Sequence, residues 1–252
     1  MSRNFDILQR ADGRPGGFPP HGGANAPNVR DIPASPHRSH ARRDAAGDEV
    51  AKLVQRLFIL PEGGKALQAV AFCGVGEGDG CSWVCAHAGE YLAEQATGTV
   101  CIVDANLRSP SLHKYFHLDQ TPGFTESARD ARPMHEFARR ASGTHLWLIP
   151  AGATGGEPNG ALNPARLRGH MAELRSEFDH ILIDTPALSA YHDAILLGQA
   201  ADGVVLVVGS HSTRREPARI AKEGLEAANL PVLGAVLNRR TFPIPEKLYR
   251  KL

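Results

Sequence analysis

Six apolar runs that alternate with helical patterns constrain the fold of this 252-residue chain more than any other feature. The runs are LQAVAFC (67–73), TVCIVD (99–104), HLWLIP (145–150), HILID (180–184), GVVLVVG (203–209) and PVLGAVLN (231–238). Helical patterns lie at 82–96, 111–117, 164–178, 190–200 and 214–229, and a capping-box pattern, Thr213-Arg-Arg-Glu216, opens the last. Several runs are apolar along their whole length, which is typical of strands buried on both faces. We therefore predict an α/β domain whose mostly parallel sheet carries helices on both faces.

The start of the chain has a different composition. Residues 1–11 include the amphipathic pattern RNFDILQRA, which predicts either a short docking helix or a frayed end. Residues 12–45 hold six prolines, clustered glycines and almost no apolar side chains, so they bury too little surface to offset chain entropy. This segment is predicted to be a disordered linker, and the folded domain is placed at 46–252, opening on the helical pattern DEVAKLVQRLFIL.

Charge and hydropathy exclude some classes of protein. Lys and Arg number 28 against 27 Asp and Glu, so no electrostatic case for a nucleic-acid partner exists. No apolar run approaches the ~20 residues that cross a bilayer, and the N-terminus lacks the apolar core of a signal peptide. We expect a cytoplasmic protein.

The four cysteines are Cys73, Cys81, Cys85 and Cys101. They lack C-x-x-C spacing and are predicted to be reduced and mostly buried rather than zinc ligands.

The stretch GVGEGDGCS (74–82) lies between the first apolar run and the first helical pattern after it. Strand, glycine-rich loop and helix form the layout of a phosphate cradle, because glycines let backbone N–H groups wrap an anion and the helix N-terminus attracts it. We predict nucleotide contacts from Gly78, Asp79, Gly80, Cys81, Ser82 and Trp83. The alternative is a tight turn whose glycines serve only conformation.

Two further loops follow strand ends at the same predicted edge. Asp104-Ala-Asn106-Leu-Arg108 follows the second run, and Asp184-Thr-Pro follows the fourth. Parallel strands bring these ends together, and a hydroxyl such as Ser82 with a carboxylate such as Asp184 would hold magnesium directly or through water. Each acid also has a structural alternative. Asp104 would cap the end of its strand, and Asp184 would orient the loop that follows it. Arg108 would reach phosphate, contact another subunit or form a surface ion pair.

These motifs together resemble the cytoplasmic ATPase domain of the bacterial tyrosine kinases, the BY-kinases of the MinD/ParA-like P-loop group. IVDANLRSPSLHKYF (102–116) is similar to their Walker A′ segment, D-x-D-x-R-x-P, and HILIDTPAL (180–188) to their Walker B segment. Gly123-Phe124 matches a glycine-hydrophobe step of the family, and the runs at 203–209 and 231–238 resemble its last two strands. The likeness spans about 47–240 and implies a three-layer, P-loop NTPase-like α/β domain.

The resemblance implies ATP or ADP with magnesium as ligands, with Asp104 and Asp184 as catalytic carboxylates. Asp104 would activate an attacking hydroxyl, Asn106 and Arg108 would lie at the nucleotide, and Asn238 would touch adenine or merely cap its strand. The implied partner is a membrane polysaccharide co-polymerase or export protein, which would bring the chain to the inner membrane, and homo-oligomers are a further expectation.

Several positions depart from the family pattern. Aligning Gly80-Cys81-Ser82 with the family's G-K-[ST] puts Cys81 at the catalytic lysine, and no lysine occurs between positions 66 and 113. Asn106 replaces the second Walker A′ aspartate, a C-terminal tyrosine cluster is reduced to Tyr249, and Glu49-x-x-Lys52-x-x-Gln55 matches the E-x-x-R-x-x-R assembly helix weakly. Tyr249 would be a phosphate acceptor or an apolar anchor for the tail.

The missing lysine should impair phosphoryl transfer more than binding. Removing one partner of a buried charge pair costs about 2–5 kcal/mol, which in a transition state is roughly a hundredfold or more in rate. A thiol is a weak donor and its thiolate would repel phosphate. The sequence therefore predicts a regulatory BY-kinase-like protein of exopolysaccharide or capsule biosynthesis with weak or absent catalysis, a pseudokinase. The alternatives are an active tyrosine autokinase or ATPase, in which Arg108 or a neighbouring subunit replaces the lysine, and a MinD/ParA-like positioning ATPase.

Overall fold

A computed structural model describes the chain at residues 45–59, 67–130, 132–142, 145–153, 162–210 and 212–239. Seven strands form one sheet in the order β3-β4-β2-β5-β1-β6-β7. The strands are β1 (Ala69–Gly74), β2 (Val100–Asp104), β3 (Arg139–Ser142), β4 (Leu146–Ile149), β5 (His180–Asp184), β6 (Gly203–Gly209) and β7 (Val232–Asn238). All neighbours pair in parallel except β3 and β4. The predicted mostly parallel α/β sheet is confirmed.

Apart from the short helix Phe124–Ser127, which no pattern indicated, the α-helices lie along the stretches that the helical patterns predicted. They are α1 (Ala45–Val54), α2 (Cys81–Gln95), α3 (Leu112–Tyr115), α4 (Phe124–Ser127), α5 (Pro164–Glu177), α6 (Asp193–Gln199) and α7 (Arg215–Ala227). A π-helical turn, Gln55–Ile59, extends α1, and a 3-10 turn, Met134–Phe137, precedes β3. The predictions for residues 1–44 and for Tyr249 lie outside the described residues.

Burial on both faces explains why the strands are uniformly apolar. Val70 and Phe72 of β1 pack in the cluster that α1 and α2 cover, while Ala71 and Cys73, which point to the opposite face, are equally inaccessible. Successive side chains of a strand alternate between faces, so a strand buried on one face only would need polar residues at every second position. The whole of β1 and β2 is buried instead.

An edge strand and a helix cap also differ from the sequence-based expectation. The edge strand β3, whose sequence is RRAS, was not predicted, because it has no apolar run and forms only by antiparallel pairing with β4. The capping box expected at Thr213 and Glu216 is wrong: α7 begins at Arg215, its N-cap is Arg214, and no side chain caps it. The Thr213 hydroxyl bonds the glycine-rich loop instead, as described below.

The strand order brings the three predicted loops to one edge. Strand β5 lies between β1 and β2, so the loops that follow these three strands are neighbours. Asp104 and Asp184 are register partners at the ends of β2 and β5. Within the described residues, no helix has the length and apolar character needed to span a bilayer.

Candidate functional site

The loop after β1 has the backbone of a phosphate cradle. Gly78 and Gly80 have φ angles of 79° and 84°, in the left-handed region that favours glycine. Gly80 directly precedes α2, and a Cβ at this position would overlap the side-chain amide of Asn238. Glycine is therefore required at position 80 for two reasons, backbone conformation and close approach.

Asp79 fastens this loop to the neighbouring loop that joins β6 to α7. Its carboxylate is buried and accepts the Gly76 N–H at 2.8 Å, the Ser212 hydroxyl at 2.8 Å and the Thr213 hydroxyl at 2.7 Å. Its main-chain carbonyl accepts the Asn238 amide Nδ2 at 2.9 Å. The loop is thus held from β6 and β7 without any ligand.

The first turn of α2 offers free backbone donors. The N–H groups of Cys81, Ser82 and Trp83 have no acceptor among the residues that the structure describes. Such groups at a helix N-terminus carry a partial positive charge and bind anions. The Trp83 ring stacks on His87, with centroids 4.0 Å apart, and both lie on this helix.

The two strand-end carboxylates lie beneath the loop with unsatisfied oxygens. Asp104 and Asp184 are fully buried. One oxygen of Asp104 accepts the N–H groups of Ser111 and Leu112 at 3.3 and 3.1 Å, but its other oxygen and both oxygens of Asp184 have no hydrogen-bond partner. Buried polar atoms without partners are rare in proteins and call for an explanation such as a bound ion.

Burial is the largest influence on the pKa values of the Asp104 and Asp184 carboxyl groups. It raises the pKa of Asp184 to about 7, and the nearby Ser82 hydroxyl and Cys81 thiol offset this only in part, since neither makes a hydrogen bond of good geometry. Burial and the Asp184 charge also raise the pKa of Asp104 well above its usual value. A divalent cation would favour the ionised carboxylates and relieve both effects.

These oxygens fit a magnesium ion held jointly with phosphate. No cluster of three or more His, Cys, Asp or Glu side chains suited to a metal ion exists among the described residues. Magnesium at a nucleotide does not need one, because it is bound by one or two carboxylates together with waters and substrate phosphates. Ser82 and Asp184 are the residues of this chain that would hold it, and the ion would supply positive charge at the phosphates.

Cys81 lies at the first position of α2 as a neutral thiol. Burial, followed by the charge of Asp184, raises its pKa well above the usual value. Burial likewise raises the pKa of Cys85, and that of Cys73 to about 12. Cys73, Cys85 and Cys101 are buried and Cys81 is partly accessible, and all four thiols are free, so the prediction of reduced, mostly buried cysteines is confirmed.

The loop after β2 forms the opposite wall. The Asn106 side chain accepts the Ser109 N–H at 3.1 Å and so shapes its own loop. The Arg108 guanidinium pairs with Asp193 at 3.1 Å and lies 4.8 Å from the centre of the Tyr191 ring. Of the three roles considered for Arg108, the ion pair is the one present here.

Loop and wall enclose a cleft of about 300 Å³. Eight predicted residues line it: Gly78, Asp79, Gly80, Cys81, Ser82, Trp83, Asn106 and Arg108. Asp104 and Asp184 lie below it, and Asn238 lies behind the loop, with its amide on Asp79 and its oxygen accepting the Arg239 N–H at 2.8 Å. The cleft also contains residues not predicted from the sequence, chiefly Ser111, Tyr115, Thr185, Tyr191 and Arg239.

Some of these unpredicted residues could have been proposed from the sequence and others could not. Thr185 follows a predicted strand-end aspartate, and Tyr115 lies within the stretch that resembles the Walker A′ segment, so both could have been proposed from the sequence, whereas Tyr191 and Arg239 stand in no recognisable motif. On α1, Glu49 pairs with Lys52 at 2.9 Å on the surface, and in the π-helical turn that follows, Gln55 donates to the Tyr91 hydroxyl at 2.9 Å. The assembly role of this helix stays a prediction.

The sheet, the glycine-rich loop and the paired aspartates define a P-loop NTPase-like domain, and known proteins agree. The fold matches the chimerical protein CapA2B2 with a TM-score of 0.73 and 22% identity over 81% of this chain and 88% of that one. It also matches the septum site-determining protein MinD complexed with Mg-ADP from Pyrococcus horikoshii OT3, with a TM-score of 0.59 and 22% identity over 73% and 76% of the two chains. At this identity the likeness concerns the fold alone.

Sequence comparison identifies the family within that class. No family model matches the chain. It is, however, 30% identical over 174 residues to the tyrosine-protein kinase YwqD of Bacillus subtilis (strain 168), covering 69% of this chain and 73% of that protein. The chain belongs to the bacterial tyrosine-protein kinase family, as the resemblance in its motifs predicted.

Proposed function

We propose that this protein is a nucleotide-binding, regulatory member of its family that turns ATP over slowly or not at all. It binds ATP or ADP with magnesium in the cleft between the glycine-rich loop and the β2 loop. The observation that carries the proposal is the contrast within one site: the cradle and its acids are intact in form, whereas a neutral thiol stands where the family pattern has lysine.

The chemistry of the site supports binding. Three free N–H groups at the start of α2 would bind an anion, and Asp184, whose oxygens have no partner, would hold its cation together with Ser82. Asp79 holds the loop in place before a ligand binds, so binding loses little conformational entropy in ordering the loop. A related fold, the MinD protein described above, was solved with Mg-ADP.

The same site is poorly equipped for transfer. Charge builds on a phosphoryl group as it moves, and fixed positive charge at that point is usually the largest catalytic contribution. The Cys81 thiol carries no charge. With about 2–5 kcal/mol lost at the transition state, turnover should fall from about 30-fold to several thousandfold below that of a lysine-bearing site.

In the cell, we place the protein in exopolysaccharide or capsule biosynthesis, at the cytoplasmic face of a membrane co-polymerase or export complex. This assignment comes from the family resemblance of its motifs. Binding of nucleotide without rapid turnover suits a subunit that signals its loaded state to a partner, because a long-lived complex holds one conformation for longer.

Phosphate release measured on wild type and on C81K tests the proposal. Wild type should bind Mg-ATP in a calorimetric titration but release γ-phosphate slowly, and C81K should raise the rate by tenfold or more. C81M is the matched control, because it lengthens the side chain without adding charge and should leave the rate low. Brisk release by wild type, or phosphate appearing on Tyr249, would refute the regulatory role.

The main alternative is a working autokinase or ATPase whose positive charge comes from elsewhere in the chain. Two arginines line the cleft, Arg108 and Arg239. Brisk wild-type hydrolysis that R108Q abolishes would favour this alternative. A positioning ATPase of the MinD/ParA kind shares the fold but has no further observation in its favour.

A further inference from the structure

Arg239 places a guanidinium beside the loop that lacks a lysine. It follows the last residue of β7, is exposed, and lines the cleft. Its main chain is held in the left-handed region at φ 57°, where its N–H donates to the Asn238 side chain at 2.8 Å and its carbonyl accepts the Ser210 hydroxyl at 3.2 Å. Non-glycine residues adopt this conformation uncommonly, so the surrounding bonds specify it.

The side chain points to the end of the loop that joins α2. Its Nε atom lies 3.8 Å from the point where a Cβ on Gly80 would stand, one residue before Cys81. Asn238, the neighbour of Arg239, is bonded to the Asp79 carbonyl, so β7 and the loop are fixed relative to each other. Tyr115 lines the cleft on the far wall, where burial and the Asp184 charge raise its pKa and the Arg239 charge opposes the rise.

Arg239 differs from Arg108 in its availability. Arg108 is paired with Asp193 and packed on Tyr191. Arg239 forms no ion pair with any carboxylate of the residues described between 45 and 239. Neither acid that lines the cleft is within ion-pair distance of it: the Asp79 carboxylate accepts bonds from the loop and from two hydroxyls instead, and Glu77 is exposed at the loop's tip.

We propose that Arg239 supplies, from β7 of the same chain, the positive contact to the phosphates of a nucleoside polyphosphate that lysine supplies from the loop in other P-loop proteins. The inference rests on the proposed nucleotide site. A guanidinium is always charged and presents a planar fork of donors that matches phosphate oxygens in pairs. Strand β7 thus completes the anion site, and its cation recognises the phosphate chain rather than the base.

Calorimetric titration of the full chain with Mg-ADP, inorganic tripolyphosphate and adenosine tests this contact. R239Q should weaken tripolyphosphate binding by about tenfold or more, the effect of losing a charge-assisted hydrogen bond at a partly exposed site. R239K should retain a substantial part of the affinity, which separates loss of charge from loss of fold. R219Q on the exposed face of α7 makes the same charge change away from the cleft and should bind like wild type.

Salt dependence provides a second readout that a merely structural role would not change. Wild-type affinity for tripolyphosphate should fall more steeply with ionic strength than that of R239Q, since one fewer charge pair is screened in the variant. The slopes of wild type and R219Q should coincide.

The outcomes separate the two proposals. If wild type binds neither Mg-ADP nor tripolyphosphate, the nucleotide site itself is refuted and this contact with it. If wild type binds both and R239Q binds tripolyphosphate with equal affinity, only the role of Arg239 is overturned. If R239Q loses adenosine binding while keeping tripolyphosphate, the arginine stacks on the base, which equally contradicts the phosphate contact.

Discussion

Replacing Asp79 should release the glycine-rich loop and measurably destabilise the domain. In D79A the Gly76 N–H and the hydroxyls of Ser212 and Thr213 lose their common acceptor. Each hydrogen bond to a charged group contributes about 1.5–3 kcal/mol, and a buried donor left unpaired costs about 1–3 kcal/mol.

The net loss is smaller than the sum of the bonds. Ser212 is exposed and its hydroxyl regains water, whereas Thr213 and Gly76 are only partly accessible. Removing a buried carboxylate also recovers part of its desolvation penalty. We therefore expect D79A to lower the free energy of unfolding by about 2–4 kcal/mol, a large part of the ~5–15 kcal/mol that stabilises a typical domain.

Urea unfolding followed by circular dichroism measures this effect. S212A is the control for a single exposed hydroxyl and should cost less than about 1 kcal/mol. A double-mutant cycle between D79A and T213V should give a coupling energy of about 1 kcal/mol or more, because each change removes the same bond. If D79A lies within about 0.5 kcal/mol of wild type, the carboxylate does not hold the loop and the reasoning is wrong.

Two further predictions concern the cradle and its acids. G80A should weaken Mg-ADP binding and lower stability by more than about 1–2 kcal/mol, because φ at this position is 84° and the new Cβ overlaps Asn238. The control G169A has open space around it in α5 and should stabilise the domain by about 0.5–1 kcal/mol. Equal melting temperatures for the two variants would contradict this. Burial raises the pKa of Asp184 from 3.8 to about 7, so between these values the folded protein holds a proton that the unfolded chain releases, and stability should fall as pH rises. D184N should therefore raise the melting temperature above that of metal-free wild type at about pH 8 and much less at about pH 4, and a pH-independent difference in thermal melts would refute this origin.

The elements that could be predicted are those with a local signal. Strands such as β1 are apolar throughout because both faces are covered, and α2 follows its glycine-rich loop directly, so both were placed within two residues. Strand β3 could not be placed, because RRAS is polar and becomes the edge strand only by bonding to its neighbour β4.

The candidate site divides in the same way. Asp104 and Asp184 were expected at one edge because they end parallel strands, and their register pairing confirms that placement. Thr213 was misread as a helix cap, since Ser and Thr have the same local pattern whether the hydroxyl caps a helix or bonds a distant loop.

The amino-acid sequence by itself determined the α/β alternation, the glycine-rich loop between β1 and α2, the two strand-end acids and the absence of lysine at position 81, because each depends on neighbouring residues. Only the tertiary structure decided which distant groups complete the loop. Asn238 reaches the Asp79 carbonyl across 159 residues, and Thr213 reaches the carboxylate across 134, because the sheet order sets β6 beside β1 and β7 next to β6. The same strand order places the Arg239 guanidinium beside the glycine-rich loop. The local sequence around β7 and around the loop does not specify this contact.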